Sequence, residues 1–114
     1  MHTFKELYIG GEWTPSSGTG VIEVISPATE EVIASVPNGA ASDVDAAVAA
    51  AKAAFPAWSA LPAAERAGYL MKIHAGLEAR TDEIAQTIAK EVGMPLMLAN
   101  LIQAGLPKAN FQIA

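Results

Sequence analysis

Val32-Ile33-Ala34-Ser35-Val36-Pro37-Asn38-Gly39-Ala40-Ala41-Ser42-Asp43-Val44-Asp45-Ala46-Ala47-Val48 is the stretch in which this chain changes character. Its first five residues are largely β-branched and predict a strand. Pro37-Asn38-Gly39 ends it. Ser42 suits a helix N-cap, and Asp43 and Asp45 fall in the first turn, where the helix dipole favours carboxylates. Val44, Ala47, Val48, Ala51 and Phe55 then recur at helical spacing and make one apolar stripe.

To the left of this junction the chain predicts strands. Leu7-Tyr8-Ile9 and Glu12-Trp13-Thr14 flank Gly10-Gly11, a pair that supplies the positive φ angles of a two-residue hairpin turn. Pro15-Ser16-Ser17-Gly18-Thr19-Gly20 is a loop by composition. Val21-Ile22-Glu23-Val24-Ile25 is a further strand, joined to Val32–Val36 across Ser26-Pro27-Ala28-Thr29-Glu30-Glu31.

To the right it predicts helices. Pro56 stops the first, and Pro62 opens the second, where its missing N–H costs nothing. Leu70, Ile73 and Leu77 mark the buried side of that second helix. Thr81, followed by Asp82 and Glu83, caps a third, whose stripe is Ile84, Ile88 and Val92. Gly93 suits its C-terminal cap, and Pro95 blocks continuation. Leu98, Leu101, Ile102 and Gly105 predict a fourth helix that Pro107 would kink. The fold class is α+β, with N-terminal β-hairpins (1–37) followed by three to four α-helices (42–114). No Gly/Ser or Pro linker separates the halves, so the shift is one of secondary structure within one domain.

Composition narrows the function. Of 114 residues 24 are Ala, none of them before Ala28, and 7 Lys+Arg face 12 Asp+Glu for a net charge of −5. An acidic chain without a clustered basic face is a poor nucleic-acid binder. The absence of Cys removes disulfides, thiolate metal sites and cysteine nucleophiles. No signal peptide or membrane span fits, and a cytoplasmic location is the expectation.

Few residues offer chemistry. His74 has no second His or Cys at ligand spacing and reads as a boundary or solvent-facing histidine, not a general base. His2 is assigned no role, since the start of the chain is expected to be mobile. Glu30-Glu31 and Asp82-Glu83 are chain neighbours that do not face each other. Gly18-Thr19-Gly20 resembles the opening of a dinucleotide loop, but Glu23 stands where a third glycine is needed and a strand, not a helix, follows. The residues alone give an α+β piece with no catalytic site and no cofactor-binding residues.

The order of local phrases is more specific. Tyr8-Ile9-Gly10-Gly11-Glu12-Trp13, Ser26-Pro27-Ala28-Thr29-Glu30-Glu31-Val32-Ile33, Val36-Pro37, Asp43-Val44-Asp45-Ala46-Ala47-Val48, Ala50-Ala51-Lys52-Ala53-Ala54-Phe55-Pro56-Ala57-Trp58, Pro62-Ala63-Ala64-Glu65-Arg66 and Glu91-Val92-Gly93-Met94-Pro95 follow one another at characteristic spacing. This succession resembles the N-terminal segment of the NAD(P)-dependent aldehyde dehydrogenase superfamily. It covers nearly the whole chain and weakens after about Leu101. The family's usual Asn before Pro27 is Ser26 here, its usual Gly after Thr29 is Glu30, and its usual Lys before Pro95 is Met94.

The resemblance implies an α/β parent fold several times longer than this chain, with a Rossmann-like cofactor domain, a catalytic domain and an oligomerisation hairpin. It also implies that the chain is truncated at its C-terminus and inactive alone, with NAD or NADP bound only by the full-length parent. The nucleophilic cysteine, general-base glutamate and oxyanion-hole asparagine match no position here. A partial Na⁺ or K⁺ site is implied at the backbone carbonyls of Val24 and Ile25 and the carboxylate of Glu91, oxygen donors that suit a hard cation. Partners would be the remainder of the subunit, or a second copy through exposed helix faces such as Val44/Val48/Phe55 and Ile84/Ile88/Val92. The competing reading is a free-standing helical structural or interaction module with no catalysis. An unrelated small hydrolase has no nucleophile–base pair to support it.

Overall fold

Gly10 and Gly11 turn the chain with φ of 64° and 90°, both in the left-handed region that this two-residue turn requires. A computed structural model describes residues 2–114. The described chain divides into two compact units: one runs to Ile25 and resumes over Glu31–Ala60, and the other comprises Ser26–Glu30 and Leu61–Ala114.

In the first unit, β1 (His2–Thr3), β4 (Val21–Ile25) and β5 (Val32–Pro37) form a three-stranded sheet, while β2 (Glu6–Ile9) and β3 (Glu12–Pro15) form the predicted antiparallel hairpin. β5 is central. It runs antiparallel to β4, with Glu23 opposite Ser35, and parallel to β1, with Thr3 opposite Ser35. The central place explains why Ser35 is buried and why β5 carries the β-branched run. His2 therefore lies in a strand, against expectation. A two-residue strand has no alternation to read, and it is held by pairing with β5 and by the Phe4 N–H donating to Ser35 O at 2.9 Å.

α1 (Ala41–Ala60) starts one residue before the predicted cap. Ala40 O accepts from the N–H groups of Asp43 and Val44, and the Asp43 carboxylate reaches back to Ala40 N–H at 2.8 Å. Asp43, three residues beyond Ala40, thus makes the reciprocal half of a capping box, and Ser42 is not the cap. Nor does Pro56 stop the helix, which runs on to Ala60. Proline forfeits one hydrogen bond near the end of a helix whose alanine-rich body has high intrinsic propensity.

The second unit opens on the turn Ser26–Glu30. Ser26 Oγ accepts from Thr29 N–H at 3.3 Å, and Ser26 O accepts from Glu30 N–H at 2.8 Å. Ser26 thus supplies a side-chain acceptor to its own turn. Glu30 adopts φ 59°, and no other non-glycine residue among those described has a positive φ. The glycine expected here from the resemblance would enter that region without the steric cost that a glutamate bears. At the far end of the unit Gly93 has φ 70°, and a Cβ there would lie 2.8 Å from Pro27 Cγ.

α2 (Ala63–Ala79) follows Pro62, which stands at the N-cap. Its inward line is Arg66, Leu70, His74 and Leu77, and Ile73, expected inside, is 45% exposed. α3 (Thr81–Val92) is not capped by Thr81. That hydroxyl donates back to Leu77 O and Glu78 O, satisfying the end of α2. α4 (Leu96–Leu98), a π-helical segment (Ala99–Ala104) and α5 (Gly105–Ile113) follow in continuous helical conformation. Gly105 N–H reaches Asn100 O five residues back. Pro107 then falls in the first turn of α5, where its missing N–H costs little, so the wide turn replaces the expected kink.

The buried hydrophobic residues are alanines: Ala85, Ala99 and Ala104, packed with Ile84, Ile88, Ala89 and Met94. Ile84 and Ile88 are thus core, correcting the expectation of an exposed Ile84/Ile88/Val92 stripe. Only Val92, one turn on, is 61% exposed.

Replacing Glu30 by Gly should stabilise the chain by about 0.5–1 kcal/mol, the steric cost relieved less glycine's entropy. Glu30→Val should destabilise it. Urea unfolding of the two variants checks the sign.

Candidate functional site

Asp43 is the most heavily hydrogen-bonded carboxylate of the chain. Its Oδ1 accepts from Ser17 N–H at 3.0 Å and Ser17 Oγ at 2.7 Å, and its Oδ2 accepts from Ser16 Oγ at 2.8 Å and Ala40 N–H at 2.8 Å. Ser17 Oγ also lies 2.6 Å from Ser42 Oγ. Hydrogen bonds from the Ser17 backbone, the Ser17 side chain, the Ala40 backbone and the Ser16 side chain hold the Asp43 carboxyl well below the usual carboxylate range. Every one of these donors belongs to the loop after β3 or to the start of α1. The cluster fastens the loop to the helix and leaves no donor aimed at a ligand.

The glycines beside it have the same role. A Cβ at Gly18 would overlap the Asn38 carbonyl oxygen, and Asn38 N–H donates to Gly20 O at 2.9 Å. Gly18-Thr19-Gly20 is therefore a backbone-packing turn followed by β4, and the dinucleotide-loop reading fails on geometry.

In the second unit, His74 is half-buried and linked to α5. Its Nδ1 lies 2.9 Å from Lys108 O, and since a carbonyl only accepts, Nδ1 carries the hydrogen. Nε2 stands 3.6 Å from Glu78 Oε2, while Glu78 Oε1 is 3.2 Å from Lys108 Nζ. Nδ1 joins α2 to α5, and Nε2 faces Glu78 of α2 itself, which reaches α5 through Lys108. This is the boundary histidine expected from sequence, and its partner carbonyl could not be read there because the residues are 34 positions apart.

A polar hollow of ≈ 270 Å³ lies nearby, between Glu78, Arg80, Asp82, Glu83 and Lys108. Four of its five charged groups pair with one another, and the fifth, Asp82, accepts from a neutral amide. Glu78 pairs with Lys108, Arg80 makes two bonds to Glu83, and Asn100 Nδ2 donates to Asp82 Oδ1 at 2.9 Å. The Arg80 hydrogen bond and charge lower the Glu83 carboxyl. Both side chains are largely exposed, so the pair contributes little to stability.

Of the residues implied for an alkali cation, Val24 and Ile25 end β4 in the first unit, and Glu91 lies exposed in the last turn of α3 in the second. The β4–β5 ladder shifts register between Val24 and Ile25. Among the described residues no group of three or more His, Asp or Glu side chains could hold a metal. No described helix is long and apolar enough to cross a membrane.

Comparison with known proteins adds what the geometry lacks. The sequence model described as the aldehyde dehydrogenase family matches residues 13–107. The chain is 44% identical over 95 residues to lactaldehyde dehydrogenase of Escherichia coli (strain K12), covering 83% of this chain and 20% of that protein. It is 37% identical over 115 residues to 3-succinoylsemialdehyde-pyridine dehydrogenase of a Pseudomonas species, covering 100% of this chain and 24% of that one. Among solved structures, an aldehyde dehydrogenase from Bartonella henselae superimposes with a TM-score of 0.94 at 34% identity, over 98% of this chain and 24% of that one. A variant of aldehyde dehydrogenase C from Pseudomonas syringae, in complex with NAD⁺ and octanal, does so with a TM-score of 0.93 at 39% identity, over 96% and 22%. The chain spans about a fifth to a quarter of the length of the proteins it matches.

Stability should fall with acid through Asp43. Its hydrogen bonds hold the carboxyl well below the usual carboxylate range in the folded state, so its contribution is complete above that range and is lost progressively as pH falls through and below it. Thermal unfolding of wild type and Asp43→Asn between pH 7 and pH 2.5 should give curves that converge at the acid end. Parallel curves would contradict the assignment.

Proposed function

Because this chain belongs to the aldehyde dehydrogenase family, we propose that it is the N-terminal segment of a subunit that oxidises an aldehyde to a carboxylic acid with NAD(P)⁺. The observation that carries this reading is the match of one family over residues 13–107 together with superposition of nearly the whole chain on members of it. In the parent, a cysteine thiolate would attack the aldehyde carbon, a hydride would pass to the nicotinamide, and water would release the acid. This chain has no Cys, and its one resemblance to a dinucleotide loop is a packing turn. On this reading the chain alone would catalyse none of these steps and bind no NAD(P)⁺.

Its part is to supply opening strands and a helical layer to the cofactor domain, all within residues 1–114. The partner is the remainder of the subunit, and the reading places the protein in the cytoplasm. The outward side of the last helical run supports such a partner: Met97, Leu101 and Leu106 are exposed, Leu101 by 71%. Large side chains of that kind at solvent mark contact surfaces.

The alkali cation belongs to the same reading. Val24 and Ile25 carbonyls and the Glu91 carboxylate would hold it, an all-oxygen donor set that fits a hard ion. The ion would brace the segment and take no part in the oxidation.

A graft tests the proposal. Residues 1–114 should replace the matching segment of the Escherichia coli lactaldehyde dehydrogenase with NAD⁺-dependent oxidation kept within roughly tenfold. A folded, soluble but inactive chimera would contradict it. Rubidium-soaked crystals of the same chimera should show anomalous density beside Glu91, lost in Glu91→Gln. No density in either protein would dispose of the cation site.

A further inference from the structure

Asn38-Gly39 lies between β5 and α1, and both residues are exposed. The flanks of this pair are tied down. Asn38 N–H donates to Gly20 O at 2.9 Å, and Ala40 N–H donates to Asp43 Oδ2 at 2.8 Å. Between these anchors the Asn38 side-chain amide and the Gly39 N–H make no hydrogen bond among the described residues. The amide lies over Gly20, where an added Cβ would be 3.5 Å from Asn38 Nδ2.

These free groups can react with each other. The amide carbon of an asparagine is an electrophile that the main-chain nitrogen of the next residue can reach by closing a cyclic imide. Glycine shields that nitrogen least, since it has no Cβ, and it gives the main chain the freedom the ring requires. The other asparagines are placed differently. Asn100 and Asn110 precede Leu101 and Phe111, and both stand inside helical segments that fix the backbone around them.

We propose that Asn38 is a modification site, at which the chain deamidates in water and ages into isoaspartate. The Gly39 nitrogen bonds to Asn38 Cγ, and the Cγ–Nδ2 bond breaks. The Gly39 proton passes through water to the departing nitrogen, which leaves as ammonia. Water then opens the succinimide. Addition at the side-chain carbonyl restores a normal main chain with aspartate, and addition at the main-chain carbonyl gives isoaspartate. Isoaspartate routes the main chain through the side chain, which adds one carbon between the anchors at Asn38 N–H and Ala40 N–H. It also turns the Asn38 carbonyl into a free carboxylate, at a place where that oxygen packs on Gly18 too closely to leave room even for a Cβ. The junction then loses an anchor, and the start of α1 comes away from the Ser16-Ser17 loop. The site lies wholly within the first unit and is independent of the enzymatic reading.

Ageing the 114-residue chain at mildly alkaline pH tests this, with peptide mapping by mass spectrometry and an isoaspartyl methyltransferase to mark the product. Asn38 should lose its amide at least roughly tenfold faster than Asn100 or Asn110, because it alone has an unshielded glycine nitrogen beside it. Gly39→Ala should slow the loss with the circular dichroism spectrum unchanged. Gly39 has no positive φ, and the added Cβ would meet Asp43 Oδ2 at 3.7 Å and Leu7 Cδ1 at 3.8 Å, which are ordinary contacts. The purified isoaspartate form should unfold at a lower urea concentration than Asn38→Asp, which carries the same added charge on a normal main chain. Asn38 reacting no faster than the helical asparagines, Gly39→Ala reacting at the wild-type rate, or an isoaspartate form as stable as Asn38→Asp would overturn the proposal.

Discussion

Close approach through alanine is the contact on which the second unit depends. Ala85 on α3 meets Ala99 and Ala104 of the π-helical segment, and no larger side chain is fully buried among the described residues. Helices can approach this closely only where the side chains between them are small. Around this contact Ile84, Ile88 and Met94 find their places, Gly93 makes its left-handed turn against Pro27, and the π turn absorbs Pro107. The same economy operates in the first unit, where α1 lays Ala47 and Ala50 toward its own strands. The large apolar residues are left over on the outside. A chain that buries alanine and exposes valine, phenylalanine and leucine leaves large apolar side chains at solvent.

Much of this was legible in the sequence. Strand-to-helix order, the Gly10-Gly11 turn, the Gly93 cap and the β4–β5 pair rest on local patterns, and local patterns are what a sequence displays. The departures have a common cause in tertiary partners. Ser42 has the chemistry of a cap, but Ala40 O already accepts from the Asp43 and Val44 N–H groups, and the Ser42 hydroxyl meets Ser17 instead. Thr81 has it too, yet its hydroxyl is drawn to the carbonyls that end α2. Pro56 and Pro107 are helix breakers by rule, but one lies near a helix end and the other in a first turn. β1 was invisible because two residues carry no period.

The search for a site divides in the same way. The sequence itself shows that no cysteine nucleophile is present, and a strand after Gly18-Thr19-Gly20 in place of a helix already spoke against a dinucleotide loop. That His74 joins α2 to α5 through Lys108 required coordinates, since nothing in Ile73-His74-Ala75 points to residue 108. Glu30 shows how sequence and structure together exceed either alone. The resemblance leads one to expect glycine at this position, and the backbone, with a φ of 59°, supplies a physical reason for that expectation.

The central claim is that the outward apolar side of the last helical run is a contact surface for the rest of a longer family subunit. Amide hydrogen exchange across residues 96–113, measured in the 114-residue chain and in the lactaldehyde dehydrogenase chimera, tests it most directly. The account predicts that these amides exchange at least roughly tenfold more slowly in the chimera, where the helix is covered and local opening is suppressed. Equal exchange in the two proteins would contradict it.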